Sequence, residues 1–196
     1  MAPSYIERLA LLGKALGEGS ITLLVDNVAH IELMQKFKGI AGFAPYIMPK
    51  VDTGYGRAGI PPSEDELGEL AEVAAKSEAE GNCNIHGVYS HSGHSYSGES
   101  QEDGMKYLLE EMQRNADAAT IVRKHLQINK DRRLIVSVGA SPSATSVQNL
   151  LGTENSVNTS STAQGIRKTL KETFENGLSI ELHAGVYSLL VSLKFL

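Results

Sequence analysis

Residues 84–97 read Asn84-Ile85-His86-Gly87-Val88-Tyr89-Ser90-His91-Ser92-Gly93-His94-Ser95-Tyr96-Ser97. The first part, Asn84 to Ser90, leans apolar and β-branched, which predicts a short strand. The run from Val88 then gathers two histidines, two tyrosines and four serines into ten residues. A strand that ends in proton-transfer and hydrogen-bonding side chains has the form of an active-site rim. The same order, apolar run and then a polar or Gly-rich loop, returns elsewhere in the chain. Ile21–Val25 leads to Asp26-Asn27. Phe43–Val51, which carries Pro45 and Pro49, leads to Asp52–Arg57. Leu134–Val138 leads to Gly139–Ser143, and Leu178–Leu182 to His183–Tyr187.

Helical patterns separate these strands. Apolar spacing predicts helices over Tyr5–Leu16, Ala29–Phe37, Glu64–Glu80, Gly104–Gln127 and Gln164–Asn176. Pro61, Pro62 and Ser63 stand before the third of these, and Gly177 follows the last. Residues 142–163, rich in Ser, Thr and Asn, are expected to form a long irregular loop. Alternating strands and helices predict an α/β fold with a parallel sheet and chemistry at the carboxyl ends of its strands. Five such rims on one side point to a barrel or a large part of one. A complete eight-stranded barrel takes roughly 250 residues, and this chain has 196.

Composition narrows the function classes. The net charge of −5 argues against a general nucleic-acid binder. No apolar run approaches the roughly 20 residues of a membrane span, and nothing near Met1 has the form of a signal peptide, so a cytoplasmic protein is expected. The lone Cys83 rules out an internal disulfide and a thiolate-rich metal site, and is expected to be structural. His91 and His94 lie three apart in a loop with no third ligand, so no metal site is assigned. His30, His86 and His125 are expected to be structural. No Gly-x-Ser-x-Gly elbow of an α/β hydrolase is present.

Lys50-Val51-Asp52-Thr53-Gly54-Tyr55-Gly56-Arg57-Ala58-Gly59 admits two readings. Lys50 and Arg57 can orient an anion or a phenolate. Alternatively, Asp52 caps the turn, the glycines serve its backbone and Arg57 pairs with a carboxylate. Ser137-Val138-Gly139-Ala140-Ser141-Pro142-Ser143 ends a strand in small residues and hydroxyls, a setting in which backbone N–H groups can cradle a phosphate.

These two motifs, the Tyr89–Ser97 motif, and Glu181-Leu182-His183-Ala184-Gly185-Val186-Tyr187 together resemble a known group. It comprises the eukaryotic D-serine dehydratases and D-threonine aldolases, pyridoxal-phosphate-dependent enzymes of the alanine racemase N-terminal barrel class. The resemblance implies a partial (β/α)8 barrel over residues 1–187, with the first strands and a C-terminal β-domain missing. Residues 188–196 are an apolar tail that does not match. It implies a D-serine ammonia-lyase kind of function on small D-hydroxy amino acids, with a D-threonine aldolase kind, or a non-catalytic phosphate-binding remnant, as alternatives.

By the same resemblance, Arg57 lies near the cofactor's phenolic oxygen and the substrate carboxylate. His91 and Tyr96 line its ring, with His94 in the same motif. Gly139 and Ser141 bind the phosphate, helped by backbone N–H groups around His183, Ala184 and Gly185. Lys50 and His91 join Arg57 as catalytic candidates. The group's Schiff-base lysine, on a first strand with His and Thr beside it, has no counterpart here; Lys14, Lys36 and Lys38 do not fit, and Lys50 matches a different position. The chain is therefore expected to be inactive on its own. Full-length relatives are expected to be homodimers with a zinc whose site is absent here.

Overall fold

The computed structural model describes residues 3–126, 132–147, 150 and 160–185. Every strand pairing in it is parallel. Strand β1 (Thr22–Val25) pairs with β2 (Tyr46–Pro49) in the register Thr22↔Tyr46 to Val25↔Pro49. Strand β2 pairs with β3 (Asn84–Ile85). On the far side, β4 (Gly87–Tyr89) pairs with β5 (Leu134–Val138), and β5 with β6 (Leu178–Leu182). The predicted strand over Asn84–Ser90 is thus split at His86. That residue serves both neighbours: its N–H donates to the Ile47 carbonyl and its own carbonyl accepts from Ile135 N–H. The Val51 N–H donates to the Tyr89 carbonyl at 2.8 Å, continuing the link beyond β2. The result is a parallel arc, part of a barrel.

Pro45 and Pro49 shorten the second strand without abolishing it. Pro49 is its last residue, where a missing N–H costs least, and Lys50 N–H resumes the ladder on the Val25 carbonyl at 2.7 Å. Helices α1 (Ile6–Leu16), α2 (Val28–Ala41), α3 (Glu66–Ala79) and α4 (Gln101–His125) alternate with the strands. Ile6, Met34, Phe37, Leu67, Leu70, Met105, Leu108 and Met112 are fully buried with Ile47, Ile85 and Leu134 of the sheet. The core is therefore the helix-to-sheet layer expected of alternating β and α units.

Helix α4 begins three residues before the predicted start. Ser100 accepts from Asp103 N–H at 3.1 Å, and the Asp103 carboxylate accepts from Ser100 N–H at 3.1 Å, a reciprocal cap. The expected irregular stretch from 142 also needs correction. Ser141–Ser146 winds into a short helix, α5, whose Ser143 hydroxyl accepts from Ala140 N–H at 2.9 Å. Helix α6 (Ser161–Glu175) follows, capped by Ser160. Among the described residues no helix is long and apolar enough to cross a membrane. Tyr187 and the tail 188–196 lie outside the described residues.

Candidate functional site

The parallel ladder sets Lys50, Tyr89, His91, Gly139 and His183 at the carboxyl ends of four neighbouring strands. Their contacts are direct. The Tyr89 and His183 rings stack at 4.6 Å between centroids and 7° between planes. His91 lies 6.2 Å from His183 at 16°. The Lys50 Nζ stands 5.2 Å from the Tyr89 ring centroid. The His91 Nδ1 is 3.1 Å from the Gly139 carbonyl oxygen, which can only accept, so His91 carries its proton on Nδ1.

Electrostatics follow from burial and crowding. Desolvation, then the nearby Arg57 charge, lowers the Lys50 ammonium below its ordinary range. The same two causes, in the same order, lower His91. Desolvation, then His91, lowers His183. Desolvation and the Glu111 carboxyl raise Tyr89, keeping its hydroxyl protonated. The cluster therefore presents imidazoles biased to the neutral form, a phenol and two cationic side chains. It suits an anionic ligand with an aromatic ring.

The Lys50–Gly59 turn is held by Asp52 and its glycines, while Arg57 lies over the Tyr55 ring and, among the described residues, not against a carboxylate. Asp52 accepts from Gly54 N–H at 2.9 Å and Gly56 N–H at 3.0 Å. Burial alone would raise this carboxylate, and those bonds together with Tyr55 N–H outweigh it and hold it low. Gly59 has φ +111°, and a Cβ there would lie 2.8 Å from Asp52 N and the Lys50 carbonyl. Only glycine lets the turn fold back so closely on the end of β2. Arg57 lies 5.0 Å from the Tyr55 ring, with its charge felt at Lys50 and His91.

Other expected residues sit differently. His94 packs beside Tyr55 and edge-on to Tyr107 at 5.0 Å, one shell away from the His91–His183 pair, and its Nδ1 is buried without a partner. Tyr96 is 40% exposed, at the outer lip of the turn Gly93–Ser97. The His183 N–H, expected to face a phosphate, donates instead to the Val138 carbonyl at 2.9 Å, continuing the ladder. The Gly139 N–H is likewise taken, by Glu111. Gly139 contributes shape: its φ is +130°, and a Cβ would lie 2.4 Å from the His183 carbonyl oxygen. Ser141 is buried at the start of α5, and Ala184 and Gly185 follow β6 directly.

Sequence reasoning missed Glu111 and Asn115, one turn apart on α4. Glu111 is 1% exposed, accepts from the Ser90 hydroxyl at 2.7 Å and from Gly139 N–H at 3.0 Å. Asn115, fully buried, donates to the Ser137 carbonyl at 3.0 Å. The available signal was position: both fall on the stripe of α4 that also carries Leu108, Ala118 and Val122, all buried. Ser137 in turn donates to Glu181 at 2.7 Å, leaving its oxygen to accept from His183 Nδ1 at 3.0 Å.

The remaining histidines and the cysteine are structural. His30 pairs with Asp26 at 3.3 Å, and His86 packs on Tyr46 at 4.8 Å. His125 closes the space above Gly68. Burial raises the Cys83 thiol to about 11, which makes it unreactive.

A parallel α/β arc with imidazoles biased to the neutral form, a phenol and cations at its strand ends is a candidate site of the partial-barrel kind. A model of the alanine racemase N-terminal domain matches residues 10–155, and the chain belongs to that family. It is 30% identical over 147 residues to a D-serine dehydratase of Saccharomyces cerevisiae, covering 74% of this chain and 34% of that protein. A D-serine dehydratase of Dictyostelium discoideum is 29% identical over 142 residues, covering 70% and 35%. The chain thus spans about a third of the length of these relatives. A D-threo-3-hydroxyaspartate dehydratase from Delftia sp. HT23 superposes with a TM-score of 0.64 over 95% of this chain and 40% of that one, at 24% identity. A D-threonine aldolase from Filomicrobium marinum gives 0.60 over 95% and 41%, at 13% identity.

Proposed function

We propose that the strand ends of this chain hold the ring and phosphate of pyridoxal phosphate, as half of a site for D-serine ammonia-lyase chemistry on D-hydroxy amino acids. The observation that carries this reading is the contact set Lys50–Tyr89–His183–His91–Gly139, built from the ends of adjacent parallel strands. One buried polar atom fits a bound cofactor. The His183 Nε2 is buried without a partner in the midst of the cluster, which suits a polar ligand.

The roles divide by chemistry. Ser141, at the start of α5, is assigned to the phosphate. Arg57 stabilises negative charge at the phenolic oxygen, and Lys50 adds a second cation beside Tyr89. His91, neutral and fixed through Nδ1, packs against the ring with Tyr89 and His183. When bound, the cofactor supplies an electron sink for the charge left by loss of the α-proton of a D-amino acid. The overall reaction, elimination of water followed by hydrolysis of the resulting enamine, would give a keto acid and ammonia. The sequence likeness at 30% favours this over the aldolase reading, for which the likeness at 13% speaks to the fold alone.

Calorimetric titration with pyridoxal phosphate and with pyridoxal tests the reading. Saturable binding of the phosphate form, at least about tenfold tighter than pyridoxal, is expected. Equal affinity, or no binding by the folded chain, overturns it. The loaded chain, lacking a match to the group's Schiff-base lysine, is expected to release no keto acid from D-serine. Turnover there would retain the cofactor reading and assign catalysis to a lysine of this chain, Lys50 first.

A further inference from the structure

Glu111 bonds three groups that surround His91. One carboxyl oxygen accepts from the hydroxyl of Ser90, the residue before His91, at 2.7 Å. The N–H of Ser92, the residue after it, also donates to this carboxyl. The second oxygen accepts at 3.0 Å from the N–H of Gly139, whose carbonyl takes the His91 ring proton at 3.1 Å. Gly139 is thus a hub: its N–H is held by Glu111, its carbonyl holds His91, and its Cα lies against the His183 backbone. One turn further along α4, Asn115 fastens the Ser137 carbonyl of β5. A carboxyl side chain that is 1% exposed in a helix-to-sheet core is costly, and an apolar residue would serve packing alone. Every bond it makes converges on one imidazole.

We infer that Glu111 is a positioning residue: it locks the backbone on both sides of His91 and orients the Gly139 carbonyl, so that His91 is held as its Nδ1–H tautomer with Nε2 turned to the ligand. The inference rests on the proposed function only in taking His91 to face a ligand; the tautomer lock itself belongs to the unliganded chain. Lys50 from the end of β2 is the charged group felt by this carboxyl, and Tyr89 from β4 feels the carboxyl in turn. Both lie on the site side, so Glu111 acts from beneath the cluster and not as part of it.

The test is nitrogen NMR of the chain labelled in its histidines, without cofactor. Wild-type His91 is expected to show one fixed Nδ1–H tautomer. Glu111→Leu, which fills the volume with an apolar side chain, is expected to release the ring into a mixture of tautomers. Glu111→Gln keeps two of the three bonds, accepting from Gly139 N–H through its oxygen and donating to Ser90 through its amide, gives up only the Ser92 N–H, and is expected to retain the Nδ1–H form. A wild-type His91 protonated on Nε2 overturns the inference at once. So does a folded Glu111→Leu chain in which His91 stays locked. Should Glu111→Leu not fold, Glu111→Gln decides, since a His91 that loses its tautomer despite both hydrogen bonds overturns the inference. Failure of pyridoxal phosphate to bind would leave these results standing and strike only the proposed function.

Discussion

Glu111 and Gly139 carry the two residue-scale arguments that bear most on stability. Burial raises the Glu111 carboxyl to about 7, against the pull of its bonds from Ser90, Gly139 and Ser92. Its folded pKa exceeds the unfolded one, so between pH 4.5 and about 7 the fold retains a proton the unfolded chain has released. Stability must fall as pH rises through that window, by about 3 kcal/mol in all. Glu111→Gln cannot titrate, so denaturant midpoints at about pH 5 and about pH 8 should show the wild-type loss removed in the variant. Gly139→Ala faces both a φ of +130° and a contact of 2.4 Å with the His183 carbonyl. It should cost about 3 kcal/mol in urea unfolding. Gly139 was legible as part of a small-residue strand end, but Glu111 was not. Glu110 beside it carries the same side chain, and only the burial stripe of α4 separates a carboxyl that faces the sheet from one that does not.

At the scale of elements, strand ends were easier to read than helix ends. Apolar runs that stop at a polar loop mark where a buried strand leaves the core, and β1 and β5 fall where periodicity put them. The split at His86 was not legible, because it depends on which neighbour each face of the backbone meets. The start of α4 was missed because Gln101, Glu102 and Asp103 carry no apolar signal, although Ser100 and Asp103 form a cap. Ser100→Ala should therefore cost about 1 kcal/mol, lowering the melting temperature by about 2–4 °C for a domain of this size. The short helix α5 was hidden in a Ser-rich stretch that favours turns in isolation. The hydroxyls of Thr145 and Ser146 are instead turned back onto the helix's own carbonyls.

At the scale of the whole molecule, alternation of strands and helices was enough to give a parallel α/β arc, since parallel pairing demands a crossover for each strand. What alternation could not give is how strand ends share their backbone donors. The His183 and Gly139 N–H groups were expected to meet a phosphate, and they close the ladder and hold Glu111 instead. One rim of this arc is proposed to be a pyridoxal-phosphate site. The most direct measurement follows the imidazole resonances of all six histidines as the cofactor is added to the chain. Saturable shifts at His91 and His183, with His30, His86 and His125 unmoved, are the predicted result. Uniform shifts across all six, or none at His91 and His183, would contradict it.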